Sequence, residues 1–195
     1  IGCGNGWLSH RMANAHPHLS VSAIDFVEEN IQLANYANDS VEFVCKDFLT
    51  YSGVTDCVVS IGALHHIPEF DIISLVQRAI LSSSKYTFLG LYHSSRSFMF
   101  DYFAKVPEAK RFKLFKKMNP HIVDSTQLES WFRDQLYHPY ETTISIAELQ
   151  DVATDLGVRI KYLSFDSDDR YTSVMNQLNT FEYTSCMVYI LFEHD

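Results

Sequence analysis

The sequence predicts a doubly wound α/β fold, in which a mostly parallel sheet carries helices on both faces. Two observations support this: strand-like and helix-like segments alternate up to His93, and a glycine-rich loop, Gly2-Cys3-Gly4-Asn5-Gly6, precedes the first helix. Parallel strands need crossover connections, which are usually helices, so regular alternation favours this architecture. With 47% hydrophobic residues, the 195-residue chain can bury one sizeable core, and we predict a single domain over residues 1–195.

Hydrophobic periodicity assigns the elements of the first half of the chain. Apolar residues at helical spacing predict helices over Trp7–His16, Glu28–Asn38 and Asp71–Ser82. Short alternating or continuous apolar runs predict strands over Ser20–Asp25, Val41–Cys45, Asp56–Ile61 and Lys85–His93. The continuous run Asp56–Ile61 is typical of a strand that is buried on both faces.

The alternation stops between Ser94 and Tyr140, where aromatic, helix-like pieces follow one another without a strand. We interpret residues 94–140 as an inserted helical cap that recognises the substrate, because insertions at the carboxyl ends of strands form the ligand crevice of such folds. The pattern then resumes. A helix is predicted over Ile146–Asp155 with Gly157 in the usual stop position, followed by strands over Val158–Phe165 and Cys186–Phe192.

Charge and composition exclude several classes of protein. A formal net charge of −9 argues against a surface that neutralises phosphates, so we expect no nucleic-acid partner. The four cysteines lack CxxC spacing, so neither a zinc site nor a disulfide framework is predicted. No run approaches the roughly 18 apolar residues of a membrane helix and no signal peptide is recognised, so we expect a cytoplasmic protein without a membrane partner.

The glycine loop and Asp25 together indicate a nucleoside site. Glycines let the backbone turn sharply and let a ligand approach where a Cβ would collide. Asp25 follows about twenty residues later at the end of the next predicted strand, where a carboxylate can accept both hydroxyls of a ribose. An ordinary strand-end cap is the alternative interpretation of Asp25.

The segments IGCGNG, AIDFVEENIQLA, KDF and DCVVSIGALHHIPE resemble, in order and separation, the class I S-adenosylmethionine-dependent methyltransferases. The resemblance is strong over the first half of the chain and topological over the rest. It implies the Rossmann-like methyltransferase fold and S-adenosylmethionine as the cofactor. It also implies that the sheet lacks its first strand here, because the chain opens directly on the glycine loop; that strand normally carries one more acid at the cofactor.

The same resemblance assigns the cofactor residues. It implies that the loop against the methionine part of the cofactor contains Gly2, Cys3, Gly4 and Gly6, and that the acid at the ribose is Asp25. It places Phe26, Asp47 and Phe48 at the adenine. The segment that it implies faces both cofactor and acceptor contains Ser60, Gly62, Ala63, Leu64 and His65. A surface turn residue is the alternative for Asp47.

Catalytic and acceptor residues are less specific in the sequence. His65 and His66 are candidate general bases, because a neutral imidazole can take a proton near pH 7, although the first histidine is often structural in this family. No third ligand lies nearby, so no metal site is predicted. The polar aromatic and basic candidates for acceptor binding are Tyr92, His93, Arg96, Tyr137, His138 and Tyr140. Packing of the cap onto the sheet is the alternative role of its aromatic residues.

We therefore predict an enzyme that transfers the methyl group of S-adenosylmethionine to an O, N or C nucleophile of a small molecule or glycan precursor. A nicotinamide-dependent reductase is an alternative, which the glycine spacing disfavours: Ser9 stands where a GxGxxG loop that begins at Gly4 has its third glycine. A catalytically inactive Rossmann-like binding domain is the second alternative, because methyl transfer requires few catalytic side chains.

Overall fold

Strands and helices alternate through the first 92 residues, as the hydrophobic pattern predicts. The computed structural model describes residues 1–37, 40–67, 70–94, 103–120, 122–137, 142–167 and 185–194. Its helices are α1 (Trp7–Ala15), α2 (Glu28–Ala37), α3 (Ile72–Leu81), α4 (Glu108–Met118), α5 (Ser125–Tyr137) and α6 (Ile146–Leu156). Its strands are β1 (Ser22–Asp25), β2 (Glu42–Cys45), β3 (Thr55–Ile61), β4 (Ser83–Tyr92), β5 (Arg159–Ser167) and β6 (Ser185–Glu193). Short 3₁₀ turns span Phe48–Thr50 and Leu64–His66.

The strands form two sheets in the described part of the chain. β1 and β2 pair in parallel, and a second sheet has the order β3-β4-β6-β5. β3 and β4 are parallel, whereas β6 lies antiparallel to both β4 and β5. The predicted parallel arrangement therefore describes the first four strands, and the last two strands make the second sheet mixed.

Each sheet has its own apolar core. α3 and α6 pack against the four-stranded sheet, where Leu75, Val76 and Leu149 lie in one cluster with Leu89 and Ile190. A smaller cluster joins α1 and α2 to β1 and β2. The helix ends follow their sequence signals: Asp71 accepts a hydrogen bond from Ser74 N at 3.2 Å to cap α3, and Gly157 ends α6 in the left-handed conformation.

The prediction that Asp56–Ile61 is buried on both faces is wrong. Val58 and Ser60 are buried, but Asp56 and Cys57 are exposed. Within the described residues β3 pairs with β4 alone, so it is an edge strand whose amino-terminal half meets solvent. The remaining predicted elements agree with the structure to within two residues, except that Asn38 lies outside the described ranges.

The region predicted as a cap contains two helices. α4 and α5 pack against each other around Phe103, Phe115 and Leu128, a cluster distinct from those of the sheets. Residues 95–102, 121 and 138–140 of this region are outside the described part of the chain. None of the helices in the described ranges is long and apolar enough to cross a membrane.

Candidate functional site

The glycine loop bridges the two sheets at the carboxyl ends of β1 and β3. Cys3 N donates to Ile24 O at 3.1 Å, and the Ile1 amine donates to Val59 O at 2.8 Å. Ser60 Oγ donates to Ile1 O at 3.2 Å, which ties the loop again to β3. We call this end of the two sheets the carboxyl edge. In open α/β sheets it is the position at which ligands bind.

The glycine loop has no room for a side chain at Gly2, whereas the space next to Gly4 is open. Gly2 has a φ of +65°, and a Cβ added there would lie 2.2 Å from the Ala63 Cβ, so the loop packs directly on the segment after β3. Gly4 and Gly62 also have positive φ, but a Cβ added at either would meet no atom within 4 Å. Two backbone positions that face open space at one edge fit the close approach of a ligand.

Asp25 fixes the glycine loop through its carboxylate. Oδ2 accepts a hydrogen bond from Gly4 N at 2.8 Å, and Oδ1 accepts from Val27 N at 3.0 Å and from Asn30 Nδ2 at 3.3 Å. The side chain is only 8% exposed. Asp25 therefore caps the end of its strand, and the loop that its carboxylate holds in place is the one predicted to bind the cofactor.

The environment of Cys3 is governed by burial. Desolvation raises the pKa of the Cys3 thiol, and the negative charge of Asp25 raises it further. A thiol with a raised pKa stays protonated near neutral pH and is a poor nucleophile. Cys3 therefore contributes shape to the loop.

The segments after β1 and β2 lie beside each other, because Lys46 N donates to Asp25 O at 2.8 Å. Phe26 is 73% exposed at this point, and Asp47 is exposed as well. Phe48 is different: it is 4% exposed and packs in the main core. Of the three residues predicted at an adenine, Phe26 and Asp47 are thus accessible to a ligand and the Phe48 side chain is not.

The 3₁₀ turn after β3 brings Leu64 and the two histidines to the carboxyl edge. Leu64 and His65 are fully buried. His65 Nδ1 accepts from Tyr92 N at 3.2 Å, its ring stacks on that of Tyr92 at 3.6 Å, and its carbonyl accepts from Thr142 N at 3.0 Å. His65 therefore joins three parts of the chain. His66 is half-buried and lies edge-on to Tyr92 at 5.4 Å.

The structure brings two of the six candidate acceptor residues to the carboxyl edge. Tyr92 ends β4 and is buried, and His93 follows it in an isolated bridge to Ile144. Burial lowers the pKa of His93, which favours its neutral form. Tyr137 instead lies edge-on to Phe132 within α5, at 5.3 Å. Arg96, His138 and Tyr140 are outside the described residues.

Two features of this edge were not singled out in the sequence. Thr142 and Ile144 return from the cap region to His65 and Tyr92, and only the short alternation around Ile144 signals an extended segment. Arg78 on α3 donates hydrogen bonds to two carbonyls of the loop after β2. The one sign of this role in the sequence is a charged residue inside an apolar helical run. In the described ranges, metal-ligating side chains form no group of three or more.

Comparison with known proteins agrees with this arrangement. Residues 1–81 match the family model described as a methyltransferase domain. No curated protein matches the chain in sequence.

Several solved structures have the same fold over the whole of this chain. Magnesium protoporphyrin IX methyltransferase from Synechocystis PCC 6803 with bound SAM is 14% identical, has a TM-score of 0.60, and is covered over 67% of its length. Plantazolicin methyltransferase with a desmethyl analog and SAH is 17% identical, with a TM-score of 0.62 and 74% coverage. Mycolic acid cyclopropane synthase with SAH and CTAB is 13% identical, with a TM-score of 0.62 and 76% coverage.

Proposed function

We propose that this chain is a class I S-adenosylmethionine-dependent methyltransferase that binds its cofactor at the carboxyl edge and methylates a small molecule or glycan precursor. One observation carries the proposal. The glycine loop and the segment after β2 both donate hydrogen bonds to Asp25, the last residue of β1, through Gly4 N and Lys46 N. A loop with space around its glycines, next to a buried carboxylate, can bind a nucleoside that carries an amino-acid group.

Each predicted cofactor segment has a proposed role at this edge. Gly2, Cys3, Gly4 and Gly6 form the loop against the amino-acid part, and Gly62 gives access on the other side. Asp25 accepts the ribose hydroxyls with the lone pairs that its three protein donors leave. Phe26 and Asp47 contact the base. Phe48, Ser60 and Leu64 are buried, so they act by holding the backbone in place.

The chemistry depends mainly on placement. When bound, S-adenosylmethionine supplies a methyl carbon made electrophilic by its sulfonium; the acceptor nucleophile bonds to that carbon while the sulfur keeps the electron pair of the broken bond. The residues of the edge hold the reactants in line and exclude water, which accounts for much of the rate in such transfers. A hydroxyl or amine acceptor also loses a proton.

His66 is the proposed acceptor of that proton. His65 is fully buried, and its Nδ1 accepts from Tyr92 N, so its imidazole is committed to the fold. His66 is the half-buried member of the pair and lies beside Tyr92. A carbon nucleophile that is already anionic would need no such base.

Acceptor choice is assigned to residues 94–140 together with Tyr92 and His93. The segment that returns from the cap pairs with His93 and donates to His65 O, so the cap begins and ends at the carboxyl edge. The solved structures named above carry the names of three different compounds on one fold. Such variety supports the view that loops and insertions, more than the sheet, choose the acceptor.

A further strand is proposed between β1 and β3. Among the described residues β1 pairs with β2 alone and β3 with β4 alone, while Ile1 and Cys3 hydrogen-bond to Val59 and Ile24 on the facing edges. The facing edges of β1 and β3 are both bound by the same loop, so a parallel strand could pair with both of them. That strand would join the two sheets and cover the exposed Cys57.

The test is isothermal titration of the chain with S-adenosylhomocysteine and, separately, with NADH. We expect micromolar binding of S-adenosylhomocysteine. Asp25→Asn removes a charged acceptor, which costs about 1.5–3 kcal/mol, or roughly 10–100-fold in Kd. Asp56→Asn is the matched control, because this exposed acid pairs with Lys85 at the opposite end of β3. Absence of S-adenosylhomocysteine binding in a folded sample contradicts the proposal, and binding of NADH instead would favour the reductase.

A further inference from the structure

Arg78 extends from the last turn of α3 to the loop that follows β2. Its Nε donates to Phe48 O at 3.2 Å, and its Nη2 donates to Tyr51 O at 2.9 Å. These two carbonyls lie at the start of the 3₁₀ turn Phe48–Thr50 and just beyond its end. A guanidinium presents its donors in a rigid planar fork, so it can fix two carbonyls relative to each other in a way that an ammonium cannot.

The same guanidinium lies over a buried ring. Arg78 Cζ is 5.6 Å from the centroid of Phe48, which belongs to the main core. This cation–π contact and the two hydrogen bonds hold the turn from one side, and they connect it to α3. The position of the turn is therefore set by a side chain that is thirty residues away in sequence.

Asp47 is held between two anchors. On its amino-terminal side, Lys46 N donates to Asp25 O at 2.8 Å. On its carboxyl-terminal side, Asp47 Oδ1 accepts from Leu49 N at 2.9 Å, and its carbonyl accepts from Thr50 N at 3.0 Å. The direction of the exposed Asp47 carboxylate thus depends on the turn, and the turn depends on Arg78.

We propose that Arg78 is a positioning residue for base selectivity: it places Asp47 so that this carboxylate accepts a hydrogen bond from the amino group of adenine. The inference rests on the proposed function. A carboxylate is an acceptor only, so it favours a base with an amino group and disfavours one with a carbonyl oxygen at the same place. Arg78 itself does not touch the ligand, and its effect is on which base is bound.

The experiment compares the affinities for S-adenosylhomocysteine and S-inosylhomocysteine by titration calorimetry. These ligands differ only in the base: adenine has an amino group at C6 and a bare N1, whereas hypoxanthine has a carbonyl oxygen at C6 and a hydrogen on N1. In the unmodified protein we expect a preference for adenine of about 10–100-fold, the usual cost of unpairing a hydrogen bond to a charged group. In Arg78→Lys, which keeps the charge and loses the fork, and in Arg78→Met, we expect this ratio to fall to about 3-fold or less.

Two further variants define the outcome. Asp47→Asn should reduce the ratio as Arg78→Lys does, while Arg159→Met, which removes an exposed arginine paired with Glu193 at the other end of the sheet, should leave it unchanged. A purely structural Arg78 would weaken both ligands equally and keep the ratio, which overturns the inference. An unmodified protein that binds both ligands equally also overturns it. A protein that binds neither ligand contradicts the proposed function itself, so the two failures are distinct.

Discussion

Two Asp-Phe pairs lie at the carboxyl ends of the two strands of the small sheet, and they have opposite environments. In the pair at the end of β1, Asp25 is buried and Phe26 is 73% exposed. In the pair after β2, Asp47 is exposed and Phe48 is 4% exposed. The sequence pattern is the same in both places: a short strand, one acid and one phenylalanine.

The difference arises from what each acid caps. Asp25 turns inward to accept from Gly4 N and Val27 N, which directs the chain toward α2 and leaves Phe26 in solvent. Asp47 caps a 3₁₀ turn, which places Phe48 under Arg78 and in contact with the main core. An acid at a strand end can therefore order a loop or begin a turn, and its neighbour becomes a ligand contact or a core residue accordingly.

The largest test of this contrast is the loss of each aromatic ring. Phe48→Ala should lower the free energy of unfolding by about 3–5 kcal/mol, because it removes a buried ring and leaves a cavity. Phe26→Ala should change it by less than about 0.5 kcal/mol, as is usual for an exposed position. Urea denaturation followed by circular dichroism measures both. Equal losses in the two variants would show that Phe26 is also a core residue and would remove the contrast.

The hydrophobic pattern was sufficient to locate the helices and strands. β1 and β2 lie within the predicted ranges, and α6 ends at Gly157 as its stop signal indicates. These features are local, because the period of apolar residues and the terminal residues of a helix are both visible in one segment. The close approach of Gly2 to Ala63 agrees with the resemblance that placed both residues at one site.

Features that depend on distant partners were not visible in the sequence. Nothing in Ser185–Glu193 states that β6 inserts between β4 and β5 in the antiparallel sense. Likewise the segment KDF does not show that Phe48 is covered by Arg78, thirty residues later. Sequence reasoning therefore gave Phe26 and Phe48 the same role beside the base, although Phe26 is exposed and Phe48 is buried.

The two acids should also differ in their effect on stability. Asp25→Ala should lower the free energy of unfolding by about 2–3 kcal/mol, because the N–H groups of Gly4 and Val27 lose a buried partner. Asp47→Ala should lower it by about 1 kcal/mol, the usual value for a lost cap at an exposed turn. The same urea titrations give both values. A larger loss at Asp47 than at Asp25 would reverse the assignment of which acid orders the fold.

The last prediction concerns ligand contact by Phe26. If its exposed ring stacks on the base, as proposed, Phe26→Ala should weaken S-adenosylhomocysteine binding about tenfold, since an aromatic–base stack contributes about 1–3 kcal/mol. Tyr36→Ala is the matched control, because Tyr36 is a 95% exposed aromatic residue on α2, away from the carboxyl edge. Its affinity should equal that of the unmodified protein in the same titration. If both variants bind as the unmodified protein does, Phe26 is an ordinary surface residue, and the base is recognised from the Asp47 side alone.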